Sequence, residues 1–285
     1  MNAQAQIADR RFQHYEGPSL GVAYAFFALL LHSIRWVLGL KRSARYKIVP
    51  IIVIAIAYLP SLVLIVIATV APAGTPLPDY AGYYGFVIPA IYIFVALTAP
   101  ELICPDRRHG TLRMYWTSNL GPFTYLAAKL AAIWVVLSIV TVGPVLIQLA
   151  GYSLFGHGPL GLSEGLKTLV HVIGGGLTLA VFFGSVALAV SSLTDRNSFA
   201  SAGIILGFIL SGAALGILQG PLKAPAWVGL VNINQLPVQL IDRIHQTHDF
   251  LTINLPSWEL AAAAAGWVVA AIAVLAFRYW SEGRR

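Results

Sequence analysis

Charged side chains are scarce in this 285-residue chain, since only 10% of its residues are Asp, Glu, Lys or Arg. A water-soluble globular domain usually carries about 25%. Hydrophobic residues make up 58% of the chain, and a soluble fold of this length has too small an interior to hide them. The shortage of charge therefore excludes a soluble globular protein and indicates that lipid is the solvent for most of the chain.

Cysteine occurs once, as Cys104, so an intramolecular disulfide is excluded. A cleavable signal peptide is not predicted either. The segment from Met1 to Gly17 is polar and too long for the n-region of a signal, and the apolar run that follows meets Arg35 and Lys41 without a small-residue cleavage site. We expect no processing at this end.

An excess of basic over acidic residues gives the chain a net charge of +7, a value that alone would suit a nucleic-acid-binding protein. The basic residues, however, lie in short tracts between apolar runs and do not form one patch. This distribution is typical of loops that fix membrane topology. We therefore expect contact with membrane lipid and no nucleic-acid partner.

Six long apolar runs are present, each near the 20 or so residues that cross a hydrocarbon core about 30 Å thick. The sequence therefore predicts an all-α polytopic membrane protein. The predicted spans are Ile48–Val70, Tyr84–Ile103, Phe123–Leu149, Thr168–Leu193, Phe199–Leu218 and Trp258–Trp280.

An earlier run, from Leu20 to Leu40, has a mixed character that predicts an elbow helix lying in the membrane interface. Its polar side holds His32, Arg35, Gly39 and Arg42, and its apolar side holds Phe27, Leu30, Leu31, Ile34 and Leu38. The alternative is a seventh span. That arrangement would place the basic N-terminal tail outside, against the charge bias of the rest of the chain.

The distribution of basic residues predicts the orientation. With the N-terminus inside, the cytoplasmic segments hold 15 of the 18 Lys and Arg residues, and only Lys167, Lys223 and Arg243 lie outside. Cytoplasmic loops of membrane proteins carry such an excess. Both termini are therefore predicted to be cytoplasmic.

The chain divides into a cytoplasmic tail (1–19), the elbow helix with a basic linker (20–46), a six-helix transmembrane domain (47–280) and a second cytoplasmic tail (281–285). Within the transmembrane domain we predict a cytoplasmic loop at 104–122 and a long extracellular loop at 219–257. Leu236, Leu240 and Ile244 recur every four residues in the long loop. This spacing predicts a short amphipathic helix at Gln235–His245.

The segment after the second predicted span has the most specific pattern in the chain. Its elements are, in order, Glu101 at the end of the span, the pair Asp106-Arg107, the triplet Gly110-Thr111-Leu112, Pro122, and Lys129 at the start of the third span. This order and its position resemble the ABC type-2 exporter permeases, where the acidic–basic pair is usually Glu-Arg. The architecture from Leu20 onward is similar as well, but the residue matches are confined to this segment.

The resemblance implies that a short cytoplasmic helix docks in a groove of a separate ATPase and passes its closure to the spans. We expect Gly110 to provide a flexible start for this helix. The expected hydrophobic knobs are Leu112, Met114, Tyr115 and Trp116, and the expected charges are Arg107, Arg108 and Arg113. The residues assigned to coupling are Asp106, Arg107, Gly110, Thr111, Leu112, Tyr115 and Trp116. For Arg107 and Arg108 the alternative is that they only fix orientation and touch anionic lipid.

Glu101 lies about one turn from the membrane end of its span, where an unpaired carboxylate is costly. We predict a structural ion pair between Glu101 and the elbow helix or its linker, with Arg35 as the main candidate and Arg42 or Arg45 as alternatives. A solvated interfacial carboxylate is the other interpretation.

No catalytic, cofactor or metal site is predicted in the chain itself. Gly161–Thr168 resembles a phosphate loop, but Leu166 stands where the second glycine is needed. Asp242, His245 and His248 recur every three residues, a spacing that suits a metal, yet exposed loop residues of these types are usually only solvated. ATP and Mg²⁺ are therefore expected on the partner ATPase.

These features predict the permease subunit of an ATP-driven exporter, a multi-pass protein of the bacterial inner membrane that pairs with a second permease, identical or not. Spans poor in charge favour an amphipathic, drug-like or lipid-like substrate over an ion. One alternative is a membrane enzyme acting on a lipid-linked substrate, although the exterior acidic residues are spread over three loops. The other is a sensor or scaffold that transports nothing.

Overall fold

The computed structural model describes residues 21–40, 43–72, 75, 77–116, 120–247 and 255–282. Within these ranges the chain is helical and contains no β-strand. The helices are α1 (Val22–Val37), α2 (Ala44–Val70), α3 (Gly82–Arg108), α4 (Leu112–Trp116), α5 (Pro122–Thr141), α6 (Gly143–Leu154), α7 (Leu162–Ser191), α8 (Asn197–Gln219), α9 (Gln235–His245) and α10 (Ser257–Glu282), with a 3₁₀ helix at Ala226–Val231. The predicted N-terminal tail, 1–19, lies outside the described residues.

Six stretches in the described part of the chain are long and apolar enough to cross a membrane. They are α2 from Lys47 onward, α3, the consecutive pair α5 and α6, α7, α8, and α10. Helices are expected here because lipid offers no hydrogen bonds, so each span must satisfy its own backbone groups. The prediction of an all-α polytopic membrane protein with six spans is confirmed.

Successive spans run in opposite directions, which gives the bundle two chemically different ends. At one, which we term the basic end, α3 finishes at Arg107 and Arg108, α7 turns into α8 beside Arg196, and α10 finishes after Arg278. At the other, the far end, α9 and the 3₁₀ helix cover α7, α8 and α10. The basic end is the one predicted to be cytoplasmic, and its sidedness stays a prediction.

Helix α1 has 16 residues, or about 24 Å, which is shorter than a hydrocarbon core. It packs against α5 and α3. The division of its faces into a polar and an apolar side stays a prediction. Leu29, Ser33 and Val37 form the buried stripe, whereas Phe27 and Leu31 are exposed, because the contact with α5 and α3 covers a narrow face and leaves large apolar side chains on the outside. The interfacial placement of α1 stays a prediction.

The third span is broken where α5 gives way to α6, just before Pro144. Proline has no amide proton and interrupts the helical ladder. Hydroxyl groups from neighbouring helices donate hydrogen bonds to the carbonyls beside the break. Tyr58 donates to the Ile139 carbonyl and Tyr84 donates to the Thr141 carbonyl, each at 2.9 Å. In a membrane these bonds replace the water that is absent, and they tie α2 and α3 to the break.

The far end is covered by the segment that connects α8 to α10. The short helix predicted at Gln235–His245 is present as α9. Asn232 anchors the start of this helix, since its amide donates to the Ser211 carbonyl of α8 at 2.9 Å and its side-chain oxygen accepts from the backbone of Asn234 and Gln235. Trp267 of α10 donates to the Leu230 carbonyl of the 3₁₀ helix at 3.2 Å. The connection is therefore a structured cover.

Candidate functional site at the basic end

Helix α3 ends in a tight reversal that explains the Gly-Thr sequence after it. Gly110 has φ of +66°, a left-handed conformation that glycine adopts without strain. Its amide donates to the Arg107 carbonyl at 3.1 Å, and the Thr111 amide donates to the Asp106 carbonyl at 3.0 Å. This pair of bonds is the Schellman motif that terminates many helices. Gly110 therefore provides a defined turn, whereas a flexible start was predicted.

Thr111 joins the end of α3 to the start of α4. Its hydroxyl donates to the Asp106 carbonyl at 3.1 Å, which strengthens the reversal. Its own carbonyl accepts from the amides of Met114 and Tyr115, at 3.0 and 3.3 Å. One residue thus closes the first helix and opens the second, so the direction of α4 follows from the direction of α3.

Asp106 lies in the last turn of α3, inside the helix and not in the loop predicted for 104–122. Its side-chain oxygen Oδ2 forms an ion pair with Lys129 Nζ at 2.7 Å and accepts the hydroxyl of Tyr125, also at 2.7 Å. Lys129 and Tyr125 belong to α5, and both are buried. Charge-assisted bonds of this length are strong, and a buried charge requires such partners. The pair fixes the end of α3 to the start of α5.

Three tyrosine rings in contact extend this interaction to α4 and α10. The ring of Tyr115 lies 5.2 Å from that of Tyr125, which in turn lies 5.7 Å from Tyr279. Burial, followed by the nearby Asp106 carboxylate, raises the pKa of Tyr115 above its usual value. The phenol therefore stays neutral at any ordinary pH. Through these tyrosines α4 packs on α5 and, by way of α5, on α10.

The predicted hydrophobic knobs of α4 have different environments. Leu112 is only 7% exposed and belongs to the core of the bundle, so its assignment as an exposed knob is wrong. A five-residue helix lying on the bundle must bury one side, and Leu112 is on that side. Met114 is 72% exposed and points away from the bundle. Tyr115 is half-buried, and the side chain of Trp116 lies outside the described residues.

Arg107 turns toward the bundle, although it was predicted to be one of the charges near a partner. Its guanidinium lies 3.1 Å from the Asp195 carboxylate and also donates to the Ser192 carbonyl. Asp195 and Ser192 lie in the connection between α7 and α8. Sequence reasoning missed Asp195. The available signal was an acidic residue in a short connection predicted to lie on the same side of the membrane as Arg107.

Glu101 accepts a hydrogen bond at 3.1 Å from the side-chain amide of Asn197, the first residue of α8. It also lines a cavity of about 130 Å³ between α3, α5 and α1, together with His32, Trp36 and Lys129. Glu101 therefore lies beside the cavity that separates α3 from α1, and its carboxylate is held by α8. The ion pair between Glu101 and Arg35 stays a prediction. The alternatives Arg42 and the side chain of Arg45 lie outside the described residues.

The candidate metal ligands at the far end do not form a metal centre in the part of the chain that the structure describes. The ring of His245 lies 6.0 Å from that of His171 on α7, and Asp242 is fully buried in α9. The third candidate, His248, lies outside the described residues. His245 therefore packs against another histidine of the bundle.

The fold and the site define a class: a polytopic helical membrane protein with a short helix at one end. At that end, charged side chains join the end of α3 to the start of α5 and to the connection between α7 and α8. A family model described as ABC-2 family transporter protein matches residues 68–277. The match covers more than two thirds of the chain and runs from the end of α2 into α10, and the chain belongs to this family. A comparison with curated proteins finds no match. The resemblance to type-2 permeases is confirmed, and the chain is a membrane component of an ABC transporter.

Proposed function

We propose that this chain is the permease subunit of an ATP-driven exporter and that residues 110–116 receive the motion of a separate ATP-binding cassette ATPase. The observation that carries the proposal is the geometry of α4. The helix leaves the bundle through a defined turn at Gly110, carries the exposed Met114 on its outer side and contacts the bundle through Tyr115. A push on α4 is therefore transmitted to α3 and α5.

ATP and Mg²⁺ are assigned to the partner subunit. The only segment resembling a phosphate loop, Gly161–Thr168, has Leu166 in place of the required glycine. It forms the start of α7, which is at the far end of the bundle. In the proposed orientation the basic end faces the bacterial cytoplasm, where ATP is available, and the far end faces outward. This orientation follows from the excess of Lys and Arg in the predicted cytoplasmic segments.

The exported substrate is proposed to be amphipathic, drug-like or lipid-like. Two apolar grooves flank α3 and share Pro89 and Ile93 on its exposed side. One, of about 450 Å³, lies between α3 and α2, and the other, of about 360 Å³, lies between α3 and α8 and reaches Asn234. Cavities of 300 to 1,000 Å³ or so are typical of small-molecule sites. Because the grooves lie on one side of the bundle, we propose that a second permease chain, identical or not, completes the pathway.

The experiment is co-purification of the chain from its native membrane with an ATPase, followed by binding and hydrolysis measurements on variants of α4. Truncating a buried knob at an interface centre costs about 2 kcal/mol or more, and an exposed charge costs less than about 1 kcal/mol. We expect Met114→Ala and Trp116→Ala to weaken ATPase binding roughly 30-fold. Arg108→Ala, in the exposed last residue of α3, is the matched control and should bind nearly as the unmodified chain does.

Tyr115→Ala is expected to act differently, because Tyr115 also packs on Tyr125. It should uncouple ATP hydrolysis from transport even when the ATPase remains bound. Unchanged binding and hydrolysis in all three α4 variants would show that another surface receives the ATPase. Failure of any ATPase to co-purify with the unmodified chain would count against the exporter function itself.

A further inference from the structure

The end of α3 is attached to the connection between α7 and α8 by a charged side chain. Arg107 Nη2 lies 3.1 Å from Asp195 Oδ1, and the same guanidinium donates to the carbonyl of Ser192. The side chain of Arg107 is 9% exposed and that of Asp195 is 60% exposed. A nearly buried guanidinium with two acceptors on one connection holds that connection in one position.

Two further contacts lie on the same face of α3, since residues three apart in a helix are neighbours. Cys104 Sγ lies 3.5 Å from the carbonyl oxygens of Ser191 and Thr194, and Glu101 accepts from Asn197 at 3.1 Å. The connection is therefore bound to α3 over two turns. Among these contacts the ion pair is the one nearest to Gly110 and α4.

The neighbouring residue of α3 is attached to a different part of the bundle. Successive residues of a helix point about 100° apart, so Asp106 faces α5 and pairs with Lys129 at 2.7 Å, while Arg107 faces Asp195. The reversal at Gly110 begins from the carbonyls of these same two residues. One turn of helix thus links α4 to the third span on one side and to the fourth and fifth spans on the other.

We propose that Arg107 and Asp195 form a coupling clamp, through which motion of α4 reaches α7 and α8. This inference rests on the proposed function, because it requires an ATPase acting on α4. In this arrangement Asp195 is a positioning residue: it contacts neither ATP nor substrate and acts by holding Arg107. Without the clamp, motion of α4 still reaches α5 through Asp106 and Lys129. Its path to α8 then keeps only the contacts of Cys104 and Glu101, farther from α4, so α8 moves less.

The test uses the complex of the full chain with the ATPase that co-purifies, trapped with ATP and vanadate. Spin labels at Ser198, in the first turn of α8, and at Ser257, at the far end of α10, report the movement of α8. Labels at Phe123 and Ser257 report the movement of α5. All three sites are exposed, and the native Cys104 is buried. In the unmodified complex, trapping should change both distances.

In Asp195→Ala the change between Ser198 and Ser257 should become much smaller, whereas the change between Phe123 and Ser257 should keep its size and ATP hydrolysis should continue. The exchanged pair Arg107→Asp with Asp195→Arg should restore the movement of α8, a rescue that a purely structural role of either residue does not predict. Arg196→Gln, which changes the exposed neighbour of Asp195, is the matched control and should leave both distance changes intact.

An α8 movement of undiminished size in both Asp195→Ala and Arg107→Gln overturns the clamp while leaving the exporter function in place. If trapping moves neither pair of labels in the unmodified complex, or if no ATPase binds, the proposed function fails together with the clamp. Co-purification of each variant with the ATPase separates loss of coupling from loss of folding, since a misfolded chain would fail to assemble.

Discussion

At the basic end two pairs of side chains of opposite charge join the helices, whereas the break in the third span and the start of the far-end cover are held by neutral hydroxyl and amide groups. Asp106 pairs with Lys129 and Arg107 pairs with Asp195. By contrast, Tyr84 donates to a carbonyl at the break in the third span, and Asn232 anchors the cover of the far end. These two sets of contacts differ in the cost of rearranging them.

Breaking a buried ion pair leaves a charge in a medium of low dielectric constant, so charged contacts favour one arrangement strongly. A neutral hydrogen bond contributes only about 0.5 to 1.5 kcal/mol net and is exchanged more easily. We infer that the basic end transmits motion as a unit, while the region nearer the far end has freedom to rearrange. This division suits the proposed function, in which force enters at the basic end and substrate leaves at the far end.

The largest expected effect comes from removing one member of the buried ion pair. Lys129→Met leaves Asp106 without its cation. Removing one partner of a buried ion pair lowers the free energy of unfolding by about 3 to 5 kcal/mol. Thermal unfolding of the purified protein in detergent should show this loss. The double variant Lys129→Met with Asp106→Asn removes both charges and should be more stable than the single variant. If the single variant unfolds like the unmodified protein, the ion pair contributes nothing to the rigidity of the basic end.

A smaller effect is expected where α7 packs against the break in the third span. A Cβ atom at Gly176 would lie 2.6 Å from Val142 Cγ2 and 2.9 Å from the Thr141 carbonyl, distances that require the helices to separate. Gly176→Ala should therefore destabilise the protein by about 1 to 3 kcal/mol. Gly174→Ala is the matched control, because nothing lies within 4 Å of its Cβ position. Equal unfolding temperatures of the two variants would mean that the break is not tightly packed.

Substituting Gly110, in the reversal after α3, is expected to act only through the backbone conformation. Nothing lies within 4 Å of a Cβ at Gly110, yet its φ is +66°, and this region costs most L-residues about 1 to 2 kcal/mol. Gly110→Ala should lower stability by about that amount and reduce ATPase coupling. Gly110→Asn should be milder, because asparagine tolerates left-handed backbone. Identical hydrolysis and stability for Ala and Asn would argue against a required turn at this position.

The smallest effect concerns pH at the far end. Burial, together with the adjacent His171, lowers the pKa of His245 to about 4, whereas an unfolded histidine titrates near 6.5. The unfolded state therefore binds more protons between these values, and the His245 contribution to stability is complete above pH 6.5 and falls as pH decreases toward 4. The protection of α9 amides from hydrogen exchange, taken relative to their intrinsic rates at each pH, should fall over this window. The dependence should vanish in His245→Gln and remain in His109→Gln at the basic end.

Several features followed from residues that act locally. The six spans follow from apolar runs in which only a helix satisfies the backbone in lipid, and their observed bounds lie within a few residues of the predicted ones except at three ends. Helix α3 continues to Arg108, five residues beyond the predicted Ile103, the third span continues through α6 to Leu154, and α7 begins at Leu162, before the predicted Thr168. Helix α9 follows from a four-residue apolar spacing over one short segment.

The candidate site was predicted in position but not in its contacts. Its position followed from the order of Glu101, Asp106, Gly110 and Lys129 along the chain. The sequence did not predict which residues of α4 face outward, because a five-residue helix has too little periodicity to distinguish its faces. The burial of Leu112 and the exposure of Met114 depend on how α4 lies against the bundle.

The sequence by itself determined that this chain spans a membrane six times and that an amphipathic helix lies in the longest connection. Each of these depends on periodicity, solvent or backbone preference within a few turns of chain. Only the tertiary structure decided that Arg107 pairs with Asp195, 88 residues later, and that α1 buries Ser33 against the bundle. Such partners are chosen by the packing of whole helices, and no local spacing records which helices become neighbours.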